Sequence, residues 1–262
     1  MARNLKGLFK LMELDSITPD KSLLHDLTKF IEEDNLKHQR MPSKTYSPSS
    51  MNCIRNMYYK VTGATSYPNN NYGLVGICDS GSSRHESLQR IIYKMGKSGL
   101  DIEYVNVGDY IRSRGLTDIS IISECEPSKG KFETKLFSNK YNMSFLVDGI
   151  IRYKGVYYIL EIKTESTFKF NARKGVDDKH LMQAKSYAMV LEIDKVMFLY
   201  ENRDICLLKP FILEVTQDDK IMVINLIKSC NNYVKIESVP PKPEVSDKIC
   251  TYCNYAKQCA GE

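Results

Sequence analysis

Residues Met143–Lys163 read MSFLVDGIIRYKGVYYILEIK, two strand-like apolar runs on either side of Lys154-Gly155. A two-residue hairpin loop favours glycine and positive φ, so the two halves pair with Tyr153 opposite Val156. That register sets Gly149 opposite Leu160, Asp148 opposite Glu161, Val147 opposite Ile162 and Leu146 opposite Lys163. One face then carries Asp148, Glu161 and Lys163 with Ile150 and Ile159. The other carries Val147, Ile162, Leu160, Ile151 and Tyr158, is apolar, and has to be packed. Two carboxylates opposed across a strand pair, about 5 Å apart at Cβ, repel each other. A divalent cation shared by both would offset that cost, and hard oxygen ligands suit Mg2+ or Mn2+. Lys163 beside it would stabilise a developing phosphate anion or orient the attacking water. The competing reading is an exposed strand face whose Glu161–Lys163 pair is a surface ion pair of little worth. A slip of one residue would also undo the alignment.

Outward from the hairpin, a period near two runs from Asp101 to Tyr158 and predicts several strands, including Lys131–Phe137 and Met143–Tyr153. Before it, a helix is predicted from about Ser80 to Met95, with Leu88, Ile91, Ile92 and Met95 facing inward. After it come a helix near Lys179–Ile193, strands near Lys195–Tyr200 and Ile205–Leu213, and a helix from about Gln217 to Ile236. Leu5, Leu8, Phe9 and Met12 keep helical spacing, and a second helix starts near Thr18-Pro19 with Leu23, Leu24, Leu27 and Ile31 on one face. Val239-Pro240-Pro241-Lys242-Pro243 is an extended linker. This order predicts an α/β (α+β) fold, a central mixed sheet flanked by helices, in one domain with terminal elaborations.

The chain has 262 residues, long enough to bury a core without disulfides. Its 42% hydrophobic and 26% charged content argues against global disorder. No apolar run approaches the ~18 residues of a membrane helix, and the N-terminus, with Glu13 and Asp15, lacks a secretory apolar region, which points to the cytoplasm. A net charge of +5 permits nucleic-acid binding without demanding it, and is small for charge-driven wrapping of duplex DNA. Cys53, Cys78, Cys125, Cys206 and Cys230 are scattered, while Cys250, Cys253 and Cys259 crowd the C-terminus. Clustered cysteines in a reducing compartment more often bind metal than form disulfides.

The motif Asp148…Glu161-Ile162-Lys163, an Asp, about a dozen residues, then Glu-x-Lys closing a hydrophobic strand, resembles the PD-(D/E)XK nuclease family, with Val147 at the position of the family's proline. Three further segments in the same order resemble its RecB-like branch. Gly81-Ser-Ser-Arg-His85-Glu86 is similar to the Gly-x-x-x-His-Glu segment. His85 shares a helix face with Leu88 and Ile92 and is either a hydrogen-bonded core residue or, with the hairpin downstream, a metal ligand. His180-Leu-Met-Gln183-Ala-Lys-Ser-Tyr187 is similar to the Gln-x-x-x-Tyr motif. Gln183 and Tyr187 lie one turn apart, either on a solvated polar face or placed to bond a phosphate or base. Tyr46-Ser-Pro-Ser-Ser-Met-Asn-Cys53-Ile-Arg55-Asn-Met-Tyr58-Tyr59 and Cys250-x2-Cys253-x5-Cys259 resemble the two cysteine segments of iron–sulfur members. These include the CRISPR-adaptation exonuclease and the nuclease domain of AddB-type recombination enzymes.

The resemblance spans residues 46–262 and leaves 1–45 as an N-terminal helical extension. It implies a restriction-endonuclease-like core with an iron–sulfur clip joining the terminal segments. His85, Asp148, Glu161 and the Ile162 carbonyl would hold Mg2+ or Mn2+, and Lys163, Gln183 and Tyr187 would complete the catalytic set. Cys53, Cys250, Cys253 and Cys259 would hold a [4Fe–4S] cluster, with Zn2+ as the alternative. The implied activity is a DNA exonuclease in recombination, repair or end-processing, in a phage or CRISPR-adaptation setting with possible partner proteins. Rivals are a structure-specific endonuclease on the same scaffold and a non-catalytic DNA-binding subunit with a zinc clip. Phe168, Lys169, Phe170, Arg173, Lys174 and Lys179, together with Arg55, Tyr58 and Tyr59, interleave aromatics with cations. Such a pattern suits stacking of unpaired bases on a single strand, against the commoner fate of Phe and Tyr as core residues.

Overall fold

The structure is a computed structural model that describes residues 21–37, 42–67, 71–244, 250 and 253–261. The helical spacing at Leu5–Met12 and the helix start at Thr18-Pro19 lie outside these residues. Helix α1 (Lys21–Lys37) with residues 71–76 makes one compact unit, and the remaining described residues make a second. In the first, the Tyr72 N–H donates to Glu32 at 3.3 Å, and Leu23, Leu24 and Leu27 stand exposed on α1.

The second unit is mixed α+β. Its elements are α2 (Ile54–Thr62), most of α3 (Tyr72–Lys97), β1 (Ile102–Val105), α4 (Val107–Arg114), β2 (Ile119–Ser123), β3 (Thr134–Ser138) and β4 (Met143–Val147). Then follow β5 (Gly149–Tyr153), β6 (Val156–Glu165), α5 (Thr167–Ala172), α6 (Asp178–Leu191), β7 (Lys195–Asn202), β8 (Leu208–Glu214), α7 (Gln217–Lys235) and α8 (Ala256–Ala260). A central five-stranded sheet has the order β1-β5-β6-β7-β8, and β2-β3-β4 form an antiparallel three-stranded sheet. Only β6 and β7 run parallel in the central sheet. A parallel pair needs a long crossover, and α5 and α6 supply it.

Both faces of the central sheet are buried. Ile151, Tyr158, Leu160 and Ile162 pack with Leu88 and Ile92 of α3. Ile150, Ile159, Val196 and Phe198 pack with Ala184, Ala188 and Leu191 of α6 and Val223 and Ile227 of α7. The inward spacing expected of α3 holds for Leu88 and Ile92 but not for Ile91, which is exposed. Helix α4 falls inside the region read as strands. It is nucleated by Asn106, whose side chain accepts the Asp109 N–H at 2.8 Å, and is stopped by Gly115 at φ 64°, a left-handed residue that ends a helix.

The hairpin loop is as predicted. Lys154 and Gly155 both have positive φ, 50° and 78°, the signature of a primed two-residue turn. The pairs from Tyr153↔Val156 to Gly149↔Leu160 form as expected. There the ladder ends, and the single strand Met143–Tyr153 is corrected to two. Residues 143–147 pair with β3 instead, through Thr134↔Val147 and Lys135↔Leu146. The expected pairs Asp148/Glu161, Val147/Ile162 and Leu146/Lys163 are therefore absent from the ladder, and Asp148 occupies the bend between β4 and β5.

Gly149 is what the bend requires. A Cβ there would lie 2.5 Å from the Tyr104 hydroxyl, which is within bonding distance of the Asp148 carbonyl and 3.0 Å from that of Phe132. Gly149→Ala should cost about 1–3 kcal/mol in urea denaturation, with an unchanged denaturant slope. An unaltered midpoint would show that the Tyr104 ring can swing away freely.

Candidate metal centre

Four groups hold Asp148 in place. Its carbonyl accepts from the Gln89 side-chain amide at 2.7 Å and from the Tyr104 hydroxyl. Its Oδ2 accepts from the Ile162 N–H at 2.7 Å and lies 3.6 Å from Nδ1 of His85. His85 projects from α3 beside Arg84, whose guanidinium forks onto the fully buried Glu201 of β7. A fork of this kind is both strong and directional, so it pins α3 to the sheet next to His85. The neighbouring Glu86 pairs instead with Arg90 at the surface.

Glu133, one residue before β3, completes a group. One ligand atom from each of His85, Glu133 and Asp148 lies within 4.8 Å of the others. Ligands of one small divalent ion, at bond lengths of about 2.0–2.6 Å, sit no more than about twice that far apart, so the three fit a shared cation. Imidazole with carboxylates suits Mn2+, or Mg2+ with more oxygen in its shell. Glu133 had no role in the sequence reading. It lies between the buried Phe132 and Thr134, so alternation marks it as a solvent position, and only the fold brings it to Asp148.

Glu161 stands outside that group. Its carboxylate is 3% exposed and accepts from Lys163 Nζ. Burial pushes Glu161 up to about 7, with Lys163 pulling it down and Asp148 adding to the rise. For Asp148, burial raises the pKa, but the bond and charge of His85, the Lys163 charge and the Ile162 N–H outweigh it and hold the carboxyl below its ordinary value. Burial lowers Lys163, yet Glu161 and Asp148 carry it above its ordinary value. Lys163 Nζ also approaches Gln183 Oε1 at 3.5 Å, Gln183 Nε2 donates to the Tyr187 hydroxyl at 2.9 Å, and that hydroxyl donates to the Leu146 carbonyl at 3.1 Å. The helical spacing of Gln183 and Tyr187 therefore builds an inward relay, not a solvated face.

The aromatic–cation patch is largely spoken for by the fold. Arg173 forks onto Glu165 with two bonds of 2.7 Å and lies 4.0 Å over the Tyr200 ring. Phe170 is buried under Lys209, and Tyr58 and Tyr59 are core residues. They are too enclosed to stack a base. Phe168 remains, 85% exposed, with the exposed Lys169, Lys174 and Lys179.

Cys53, Cys250, Cys253 and Cys259 are all half-buried and unbridged. Cys53 and Cys250 are charge neighbours of Cys253. Asn56 Nδ2 and the Tyr255 N–H lie 3.5 and 3.4 Å from Cys253 Sγ, and Arg55 Nη1 lies 3.3 Å from Cys259 Sγ. Residues adjoining Cys53 thus bond the C-terminal thiols. Among the described residues, no set of three thiols falls within the 4.8 Å spacing that the His85 group meets.

His180 also faces inward, its Nδ1 2.9 Å from the Tyr200 hydroxyl and its ring stacked on Phe198. Burial, then the charges of Lys163 and Lys179, lower it from 6.5 to about 3. A histidine depressed on folding costs stability wherever the unfolded chain binds the proton and the folded chain does not. Stability should therefore fall as pH drops below about 6.5, by at most about 1.4 kcal/mol per pH unit from this group. His180→Gln, which can still bond Tyr200, should flatten that slope in denaturant titrations. An unchanged slope would mean that His180 takes up its proton in the folded state.

No helix among the described residues is long and apolar enough to cross a membrane. No family model matches the chain, and no curated protein matches it. A solved structure titled "Crystal structure of SSO0001" is similar over 92% of this chain and 97% of its own, at a TM-score of 0.46 and 17% identity. It is a distant structural neighbour whose title states no function.

Proposed function

We propose that the protein is a metal-dependent nuclease of the PD-(D/E)XK type, acting on single-stranded DNA ends. The observation that carries this reading is the His85–Glu133–Asp148 group beside the buried Glu161–Lys163 pair. The donor set fits a divalent cation, and on this reading Glu161 and the Ile162 carbonyl would serve as further ligands. A cation bound there supplies Lewis-acid stabilisation of charge on a phosphoryl oxygen. The chain's own residues do the rest. Asp148 is oriented by the Ile162 N–H and His85, and Arg84 fixes the helix that carries His85. Lys163 has three N–H groups. Two are taken by Glu161 and Gln183, and the third, with no partner among the described residues, is available to a phosphoryl oxygen. Gln183 and Tyr187 hold that lysine in place.

The same reading assigns residues 46–262 to the nuclease domain and 1–45 to an extension, with recombination, repair or end-processing as its setting. It also takes Cys53, Cys250, Cys253 and Cys259 as a [4Fe–4S] site. Four thiols suffice for that cluster, and N–H donors aimed at the sulfurs are a recognised means of tuning one. Four thiolates would also suit Zn2+, but its bonds of ~2.3 Å require the sulfurs closer together than the described thiols stand.

Asp148→Asn, Glu161→Gln, Lys163→Met and Glu133→Gln should each lower cleavage of end-labelled linear single strands with Mg2+ or Mn2+ by at least about a hundredfold. Circular dichroism should report the wild-type fold. Full activity in Glu161→Gln would remove the assignment, and equal cutting of a circular single strand would replace the exonuclease with an endonuclease.

Anaerobically purified protein should be brown, absorb near ~400 nm and contain about four irons. Alanine at Cys53, Cys250, Cys253 or Cys259 should bleach it, whereas alanine at Cys125 should not. Colourless protein with one equivalent of zinc would establish the zinc clip instead.

A further inference from the structure

A cavity of about 560 Å³ opens beside the relay, with Tyr187 and Leu146 in its wall. Its volume is that of a ligand site, within the usual ~300–1,000 Å³. Lys60 and Lys135 line it, no aspartate or glutamate among the described residues does, and the remaining polar lining, Ser47 and Ser144 among it, is nearly all hydroxyl. Lys60 is half-buried on α2, and among the described residues its Nζ has one hydrogen-bond partner, the Ser47 hydroxyl at 2.7 Å. Among the described residues neither lysine has a carboxylate partner. Burial lowers Lys60 below its ordinary pKa, so its charge opposes folding, and no carboxylate among the described residues compensates it. A half-buried cation left unpaired beside neutral donors is an incomplete anion site.

We infer that this cavity binds a phosphate group, that of a nucleic-acid strand passing the neighbouring metal centre, with Lys60 as its charge partner and Lys135 and the serine hydroxyls as supporting donors. The choice of phosphate rests on the nuclease reading above and on two features of the cavity. Hydroxyls grouped around an ammonium match a tetrahedral oxyanion with several acceptor oxygens. The wall is also joined to the phosphoryl site by the hydrogen bonds from Lys163 through Gln183 to Tyr187. A strand engaged at the metal centre would thus have a second phosphate contact within the same unit, and the site would serve orientation along the strand.

The test is strand binding without metal. An internally labelled single-stranded oligonucleotide is titrated in EDTA by fluorescence anisotropy over a series of salt concentrations. Lys60→Met should weaken binding about tenfold, the usual loss for one charge-assisted bond. It should also flatten the log–log salt dependence by about 0.7, the value for one phosphate on a single strand. Lys60→Arg should restore most of the affinity, and Lys135→Met, at an exposed position, should move both readouts in the same direction. The melting temperature of Lys60→Met should be unchanged or higher, because an uncompensated cation has been removed.

Wild-type affinity and salt slope in Lys60→Met would overturn the inference, as would a wild-type protein that binds no strand. A separate arm uses inorganic phosphate alone. If it raises the melting temperature of the wild type but not of Lys60→Met, while strand affinity is the same in both, the cavity serves a free phosphate and the strand assignment falls. Cleavage is read independently. Lys60-dependent binding by a protein that cuts nothing with Mg2+ or Mn2+ would defeat the nuclease reading and leave the phosphate site standing.

Discussion

The bend at Asp148 is the constraint on which the rest of the structure depends. At this residue the chain leaves the three-stranded sheet and enters the central one, so its backbone belongs to neither ladder. A backbone group outside a ladder and away from water has to find another partner. Here the carbonyl takes Gln89 and Tyr104, and the carboxylate takes the Ile162 N–H that the missing strand pair would otherwise have satisfied. The side chain is thereby held by backbone geometry, which leaves oxygen lone pairs facing His85 and Glu133. Gly149 follows from the same arrangement, since Tyr104 occupies the volume where a Cβ would be.

Around that bend, buried carboxylates accumulate at the carboxyl ends of the two parallel strands. Glu161 and Glu165 lie on β6 and Glu201 on β7, and each is nearly or wholly enclosed. Each is answered by a cation from a different place: Lys163 on the same strand, Arg173 beyond α5, and Arg84 on α3. Burying a charge is costly even when paired, and removing one partner of such a pair typically costs 3–5 kcal/mol. Apolar side chains would fill these positions with less penalty. The Glu165 and Glu201 forks are explained by what they fix, since one ties the loop after α5 to the sheet and the other sets the azimuth of α3. Glu161 differs, because its partner lysine is shared with Gln183 and its pKa is pushed up toward neutrality. A carboxylate so placed is the one an added cation would most readily stabilise in its charged form.

The legible part of the fold was the part specified locally. Lys154-Gly155 between two apolar runs gave the hairpin register out to Gly149, and the 3.6-residue spacing of His85, Leu88 and Ile92 gave the buried face of α3. The start of α7 is equally local, a capping box between Thr216 and Asp219. What the sequence did not announce was long-range. The alternation from Met143 to Tyr153 is continuous, so nothing but Gly149 hinted that the chain changes sheets there, and a glycine in a strand has several meanings. Glu133 alternates correctly with buried neighbours and therefore looked solvated. Tyr58, Tyr59 and Phe170 read as surface aromatics because cations lie near them in sequence, whereas Arg55 bonds the Pro240 and Cys259 carbonyls and Arg173 forks onto Glu165. A charge near an aromatic in sequence says little about which side of an element either faces.

The relay from Lys163 can be assigned a direction by counting donors and acceptors. A buried tyrosine whose pKa is driven well above 10 by burial keeps its proton and can donate once. The Leu146 carbonyl can only accept, so the Tyr187 proton goes there, and the Tyr187 oxygen must accept from Gln183. The Gln183 amide group is then committed through its NH2, which turns its carbonyl oxygen toward Lys163. An acceptor on that side requires Lys163 to be a donor, as does the Glu161 carboxylate on the other. Both neighbours therefore favour the ammonium, in agreement with its raised pKa. A lysine held in its charged form has no lone pair with which to take a proton, so in the proposed nuclease it would act only as a donor, to a phosphoryl oxygen or to the attacking water.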